Sequence, residues 1–310
     1  MAYDEKPTID SIRQITRYLQ DVWSRTHVKW QEIDSYYQQE FKLWPDNLNR
    51  PEWLKPARSR SIVDHAVDHQ LAYEPIVHRF PATQAEVSQR RADEVEPALK
   101  AILDEASLFE PTMTWKQVGK HLLLYGYAVV EDALDSACMA QRREKPRKGR
   151  NEPQEEFDRR VRIHKNAVKS MMPFRTRAPH PSRVLLDPME KEPRMAVKHA
   201  YRRSIDLEEI TSTRMTGGRA KRGEVHPWKV GDNPFELVMV DEFWSECWHA
   251  MVADSELLFV EKNTWGFVPY SHAFSGYGQE VTSVEECDPS YLAVGILEPV
   301  MPALKAQAQA

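Results

Sequence analysis

In the hexapeptide DHAVDH, His65 and His69 stand four residues apart, a spacing that sets two imidazoles on one face of a helix. Such a pair can hold zinc, with Glu74 as a candidate third ligand. The glutamate that serves as general base in helical zinc-hydrolase motifs is replaced by Ala66, and the helix is expected to stop at Pro75. Read without a metal, the hexapeptide is a polar helix face with Asp64 and Asp68 solvated. In WSECWH, Cys247 and His249 would share one face of a strand, as a thiol–imidazole pair requires, but no third group is evident to orient the imidazole. A half-buried strand is the plainer reading. The phosphate-cradling patterns GxxxxGK and GxGxxG are both missing, so no nucleotide loop is expected. No residue is therefore assigned as catalytic, as a cofactor ligand or as a metal ligand.

Two basic runs have charge enough to meet phosphates or acidic partners. One comprises Arg142, Arg143, Lys145, Arg147, Lys148 and Arg150; the other comprises Arg214, Arg219, Lys221 and Arg222. No aromatic side chain is interleaved in either, which argues against stacking on single-stranded bases. The acidic flank from Glu152 to Asp158 offsets the first, and solvated loops are the competing reading for both.

The bulk properties narrow the classes of function. The 310 residues are 41% hydrophobic and 29% charged, with net charge -5, so no global signature of a sequence-specific DNA binder is present. A channel for sliding DNA should avoid a strongly basic face, because phosphate contacts retain the nucleic acid. A mean hydropathy of -0.62 alongside 9 Trp, 11 Tyr and 10 Phe suits modest cores, broad polar surfaces and aromatic anchors. Cys138, Cys247 and Cys287 are widely separated and are expected to be reduced thiols. The N-terminus carries no signal-peptide pattern, and no apolar run approaches the roughly 18 residues of a membrane span.

The elements that would position these residues fall into an α+β arrangement, a helical N-terminal half followed by short antiparallel strands. Ile12, Ile15, Leu19, Trp23, Val28, Ile33 and Tyr37 predict a first helical stretch, and Pro45, Pro51 and Pro56 predict a connector. Ser59 and Ser61 are candidate N-caps for the helix that carries His65 and His69, and residues 92–105 predict another. A helix from Thr114 should break at Gly126 into a strand, YAVVED. Residues 1–172 thus read as mainly helical, with a mobile basic loop near 139–155 and an exposed helix after it. Residues 173–290 read as β-rich, through SRVLLDP, MAVKHAYRR, FELVMVDEFW, CWHAMVAD and ELLFVEK. Among these strands SIDLEEITS predicts a short capped helix and GGRAKRGE a loop. Residues 291–310 read as the start of a long helix that is cut short.

Taken in order, several of these segments resemble the first half of the portal (head–tail connector) proteins of tailed bacteriophages. The similarity runs from Arg58 to Ala310: ARSRSIVDHAVDHQLAYEPIVHRFP, TWKQVGKHLLLYGYAVV, PSRVLLDP with AVKHAYRRSIDLEEI, VMVDEFWSE, NTWGFVPYSHAFSG, and LAVGILEPVMPALKAQ. The resemblance implies a non-enzymatic ring subunit, usually in a dodecamer, at the capsid vertex. Double-stranded DNA is packaged and ejected through its lumen. Implied partners are further copies of the chain, major capsid and scaffolding proteins, terminase and a head–tail adaptor. The implied setting is the virion, with assembly in the host cytoplasm and no cofactor. Arg142, Arg143, Lys145, Arg147, Lys148, Arg219, Lys221 and Arg222 are then the candidate DNA or partner contacts. Two other readings stand beside it: a zinc-dependent hydrolase using His65 and His69, and a capsid-associated adaptor without a channel.

Overall fold

The computed structural model describes residues 5–40, 58–71, 114–134, 146–149, 152–170, 174–216, 223–278 and 288–303, with a few single positions elsewhere. The architecture is α+β, a helical N-terminal region followed by antiparallel sheets. The chain divides into two compact units that are discontinuous in sequence: Met1–His69, Val118–Val129 and Pro179–Ala310 form one, Gln70–Gln117 and Val130–Ala178 the other.

In the larger unit a 30-residue helix, α1 (Ile9–Gln38), opens on a reciprocal cap. Thr8 accepts from the Ser11 amide, and the Ser11 hydroxyl accepts from the Thr8 amide. Its buried stripe is Ile12, Thr16, Leu19, Trp23, Thr26, Trp30, Ile33 and Tyr37, alternating steps of four and three. Val28, expected on that stripe, is 67% exposed. Thr26 and Trp30 hold the inward positions instead, because a step of five from Trp23 leaves the helical face. Helix α2 (Arg58–Leu71) follows the expected segment, but Ser59 is not its cap: its hydroxyl is buried and donates to the Tyr36 carbonyl. The predicted helix over residues 92–105 and the proline-rich connector lie largely or wholly outside the described residues.

Helix α3 (Thr114–Tyr125) ends at Gly126, whose φ of +69° suits a residue without a Cβ. Strand β1 (Tyr127–Leu134) follows at once. In the smaller unit the end of β1 pairs antiparallel with β2 (Phe174–Arg177), Glu131 opposite Arg177. Thr114 and Thr176 tie the start of α3 to this ribbon through 2.8 Å bonds to the Thr176 carbonyl and to Asp132. The charged helix α4 (Gln154–Ser170) also belongs there, anchored to the preceding turn by Arg160 on Glu152 at 2.6 Å.

The larger unit is organised by a six-stranded antiparallel sheet. Its strands are β3 (Val184–Leu186), β4 (Met195–Arg203), β5 (Gly223–Val225), β6 (Leu237–Ser245), β7 (Trp248–Ala253) and β8 (Glu256–Lys262), in spatial order β3-β4-β6-β7-β8-β5. A two-residue turn at Asp254 and Ser255, both at positive φ, closes the β7–β8 hairpin. A ninth strand, β9 (Tyr270–Phe274), lies beside the start of β1.

Helix α5 (Ser204–Thr216) packs on one face of the six-stranded sheet, its Leu207 buried against Val238, Val240, Met251, Ala253 and Phe259. The opposite face takes α1. At the β3 edge the Trp23 indole donates to the Leu186 carbonyl at 2.8 Å, and at the β5 edge Lys6 pairs with Glu224 at 2.5 Å. Helix α1 thus lies over this face, with Trp23 at the β3 edge, Gln20 beside His199 of β4, and Lys6, just ahead of the helix, at the β5 edge.

Two expectations fail here. Residues 291–300 do not open a long helix. Two short 3-10 turns, Pro289–Tyr291 and Glu298–Val300, flank an irregular stretch that bonds to the end of α3, with the Ile296 amide on the Leu123 carbonyl at 2.8 Å. Pro299 and the close approach of Gly295 to Leu124 favour this packed strap over helix, and helical residues begin only at 301–303. GGRAKRGE is not a loop throughout, because Gly223 and Glu224 pair in β5 with Glu261 and Val260.

Candidate functional site

Three polar clusters are built where helices meet the sheet, and each draws on residues remote in sequence. The first joins α1, the end of α3 and the turn before β3. Tyr125 donates its hydroxyl to Asp34, His180 Nε2 lies 2.9 Å from the Tyr125 oxygen, and His180 Nδ1 lies 2.7 Å from the Ser182 hydroxyl. The Ser182 amide also points at Nδ1, at 3.3 Å, so Nδ1 accepts and the ring proton belongs on Nε2. Proton donation then runs from Ser182 through His180 and Tyr125 to Asp34. Burial pushes the Asp34 carboxyl up, but the bonds from His180 and Tyr125 outweigh it and hold the group below its ordinary value. Burial and the bond to Asp34 raise the Tyr125 phenol well above its own. His121, buried beside this chain, is lowered to about 3 by desolvation and then by the nearby His180 and Lys120.

A Ser–His–acid order suggests acyl transfer, but such chemistry needs amide donors aimed at a developing oxyanion. The local amides are spent: Ser182 on His180 Nδ1, Arg183 on the His180 carbonyl, Val184 on the Pro181 carbonyl. The cluster works as a latch. It fastens the C-terminal half of α1 to α3 and to the turn that starts β3.

The second cluster lies on the α5 side of the sheet. His249 Nε2 is 3.0 Å from Glu242 and Nδ1 is 3.3 Å from Glu261, while Trp244 stacks on the imidazole with centroids 3.6 Å apart. Burial raises the Glu242 carboxyl, but the His249 bond and the charges of Lys198 and Arg202 override it and leave the group at about 2. Arg214 closes the network, 3.4 Å from Glu261 and 3.8 Å above the Phe259 ring. In the third cluster His199 Nδ1 meets Asp241 at 2.6 Å, and Gln20 of α1 lies 3.3 Å from Nε2.

Two expectations, the Cys247–His249 pair and the place of Arg214, change with these placements. His249 has both ring nitrogens against carboxylates, and Cys247 sits in the β6–β7 turn, not on a strand, so the two form no thiol–imidazole pair. Arg214 is a partner of the sheet and not a member of a solvated basic run. His65 and His69 are exposed on α2, with Val63 and Val67 turned inward, and no metal-type cluster of three occurs among the described residues. Arg147 and Lys148 are exposed; Lys148 bonds Gln154 at 2.7 Å, and the Arg147 carbonyl accepts from Arg160. Arg142, Arg143, Lys145, Arg150, Arg219, Lys221, Arg222, Glu74, Cys138 and Cys287 lie outside the described residues.

An open groove of about 580 Å³ is lined by Arg25, Lys29, Tyr277, Asp288, Tyr291 and Glu298 among others. Arg25 pairs with Asp288 at 3.1 Å and Lys29 with Glu298 at 2.6 Å, so its charges cancel pairwise. More distinctive is a bare apolar stripe. Phe235, Leu237 and Met239 alternate along β6 and its lead-in, and Tyr201 stands opposite Met239 on β4; all four are at least half exposed. The bonded groups of the polar clusters are spent on one another, and among the described residues this stripe offers exposed apolar surface to a partner. Comparison with known protein families and with curated proteins finds no match to this chain.

Proposed function

We propose that the chain is a portal-type ring subunit, a structural protein whose assembled lumen conducts double-stranded DNA. The observation that carries the reading is the ordered series of portal-like segments from Arg58 to Ala310. It is supported by the character of the clusters: histidines, carboxylates and a phenol are spent on fastening helices to sheets, as a load-transmitting scaffold requires. The exposed aromatic and aliphatic stripe supplies surface for association, since exposed apolar groups of this kind mark interaction sites. Exposed Arg147 and Lys148, with the basic residues around them, remain the proposed contacts for DNA or for acidic partners. Terminase, adaptor, scaffolding and capsid proteins are the proposed partners, and the capsid vertex the proposed location.

Electron microscopy of the purified full chain tests the proposal. Closed rings with a central hole, in the dodecameric range, are the expected result. A chain that stays monomeric at micromolar concentration, or that forms closed dimers only, overturns it.

A further inference from the structure

The bare stripe has a complement on the other side of the same sheet. Residues directly opposite in an antiparallel pair share a face, so Tyr201 and Met239 lie on the face that carries His199 and Asp241, the face that α1 crosses. Gln20 marks the side of α1 turned toward them, and Arg17 and Arg13, three and seven residues earlier, share that side. The stripe is thus an apolar strip with a cationic border. On the opposite face α5 turns Leu207, Thr211 and Arg214 inward. Its outer stripe is Ile205, Glu208, Glu209 and Met215, apolar at both ends (41% and 45% exposed) and acidic in the middle.

We propose that the outer face of α5 from a second copy of the chain docks on this stripe, Glu208 and Glu209 against Arg17 and Arg13, and Ile205 and Met215 among Tyr201, Leu237 and Met239. Two observations favour a second copy over an unrelated partner. The two surfaces are opposite in charge and set on opposite faces of one sheet. A stripe paired with its own copy would bring the arginines together; a head-to-tail contact brings each beside a carboxylate. Contacts of that kind repeat from copy to copy and close into rings when the rotation allows. The contact deepens the ring reading and rests on it only for closure.

Two variants of the full chain test it, each at exposed positions and each checked for a native melting curve: Leu237→Asp, which spoils the stripe, and the double variant Glu208→Arg, Glu209→Arg, which spoils the helix. Sedimentation velocity should show self-association for the parent and a loss of at least about tenfold for either variant alone. Mixed in equal amounts, the two variants should form heterodimers that stop at two subunits, because each retains one intact surface. Adding Arg13→Glu and Arg17→Glu to the helix double variant should restore assembly. Unchanged assembly of either variant overturns the proposal. So does dimerisation of the helix variant by itself, which would mean stripe-to-stripe pairing, or a mixture that stays monomeric. Rings that persist in both variants would leave the portal reading standing without this contact. Stopped heterodimers alongside open, lumen-free parent filaments would uphold the contact and remove the portal reading.

Discussion

At the scale of single residues, the larger unit keeps several histidines neutral inside the fold. His27 is lowered to about 4 by burial and then by the charges of His199 and His180, His121 to about 3, and His272 also falls below its ordinary value through burial. The sign of the pH effect follows. The folded state resists protons that the unfolded chain binds below about pH 6.5, so their cost is zero above that pH and grows as pH falls. Asp34 and Glu242 act lower, because their folded carboxyls lie below the ordinary value and lose their stabilising bonds only beneath about pH 4.5. The window between pH 6.5 and 4.5 therefore belongs to the histidines, at up to about 1.4 kcal/mol per pH unit for each one fully excluded from protonation. His121 Nδ1 is buried with no hydrogen-bond partner, and its ring packs against Tyr125 with centroids 5.7 Å apart. His121→Phe keeps the ring and removes both the orphaned nitrogen and the titration. It should be at least as stable as the parent at pH 7 and show a visibly shallower loss from pH 6.5 to 5 by chemical denaturation. An unchanged slope would remove His121 as a contributor.

The elements differ in how far the sequence betrays them. Strands β3, β4, β6, β7 and β8 each coincide with a Val-, Leu- and aromatic-rich run, because strand burial is written locally in alternation and branching. Helix α1 was legible in Ile12, Leu19 and Trp23, but its inward threonines looked polar and Val28 looked core. Polarity alone cannot tell a Thr beneath a sheet from one in water. The clusters were the least legible part, since Asp34, Tyr125 and His180 meet only through tertiary packing, and so do Glu242, His249 and Glu261. No short motif records either meeting. The C-terminal strap is hidden for a related reason: LAVGILEPVM has helical content, but its conformation is set by contact with the end of α3. There Gly126 sits against Val294 and Gly295 against the Leu124 carbonyl, and a Cβ on Gly295 would lie closer to that oxygen than real Cβ atoms approach. Gly295→Ala must therefore push the strap off α3 and strain the Ile296–Leu123 bond. A loss of about 1–3 kcal/mol is expected from overpacking of this kind. Hydrogen exchange should show it as faster exchange at Ile296 before any change at β6 or β7. A stable variant with normal protection there would mean that the strap is not held by this approach.

For the whole molecule, assembly should be visible as stability. A chain that associates only when folded is stabilised by mass action, so its thermal midpoint must rise with protein concentration. A purely monomeric protein shows no such dependence. The contact between the stripe and the outer face of α5 adds two signatures. Its charged border is exposed at Arg17, Glu208 and Glu209 and half-buried at Arg13, and exposed pairs weaken as salt shortens the Debye length from about 10 Å at 0.1 M to about 3 Å at 1 M. The concentration dependence should therefore shrink on adding sodium chloride, without vanishing, because burial of Tyr201, Leu237 and Met239 is not screened. In dilute protein Leu237→Asp should melt where the parent does, since this side chain is 65% exposed in the single chain and supports no core contact. At high concentration the parent should rise and the variant should stay. A variant that melts lower at every concentration would instead make Leu237 part of the fold, and the stripe would no longer count as a surface held ready for a neighbouring subunit.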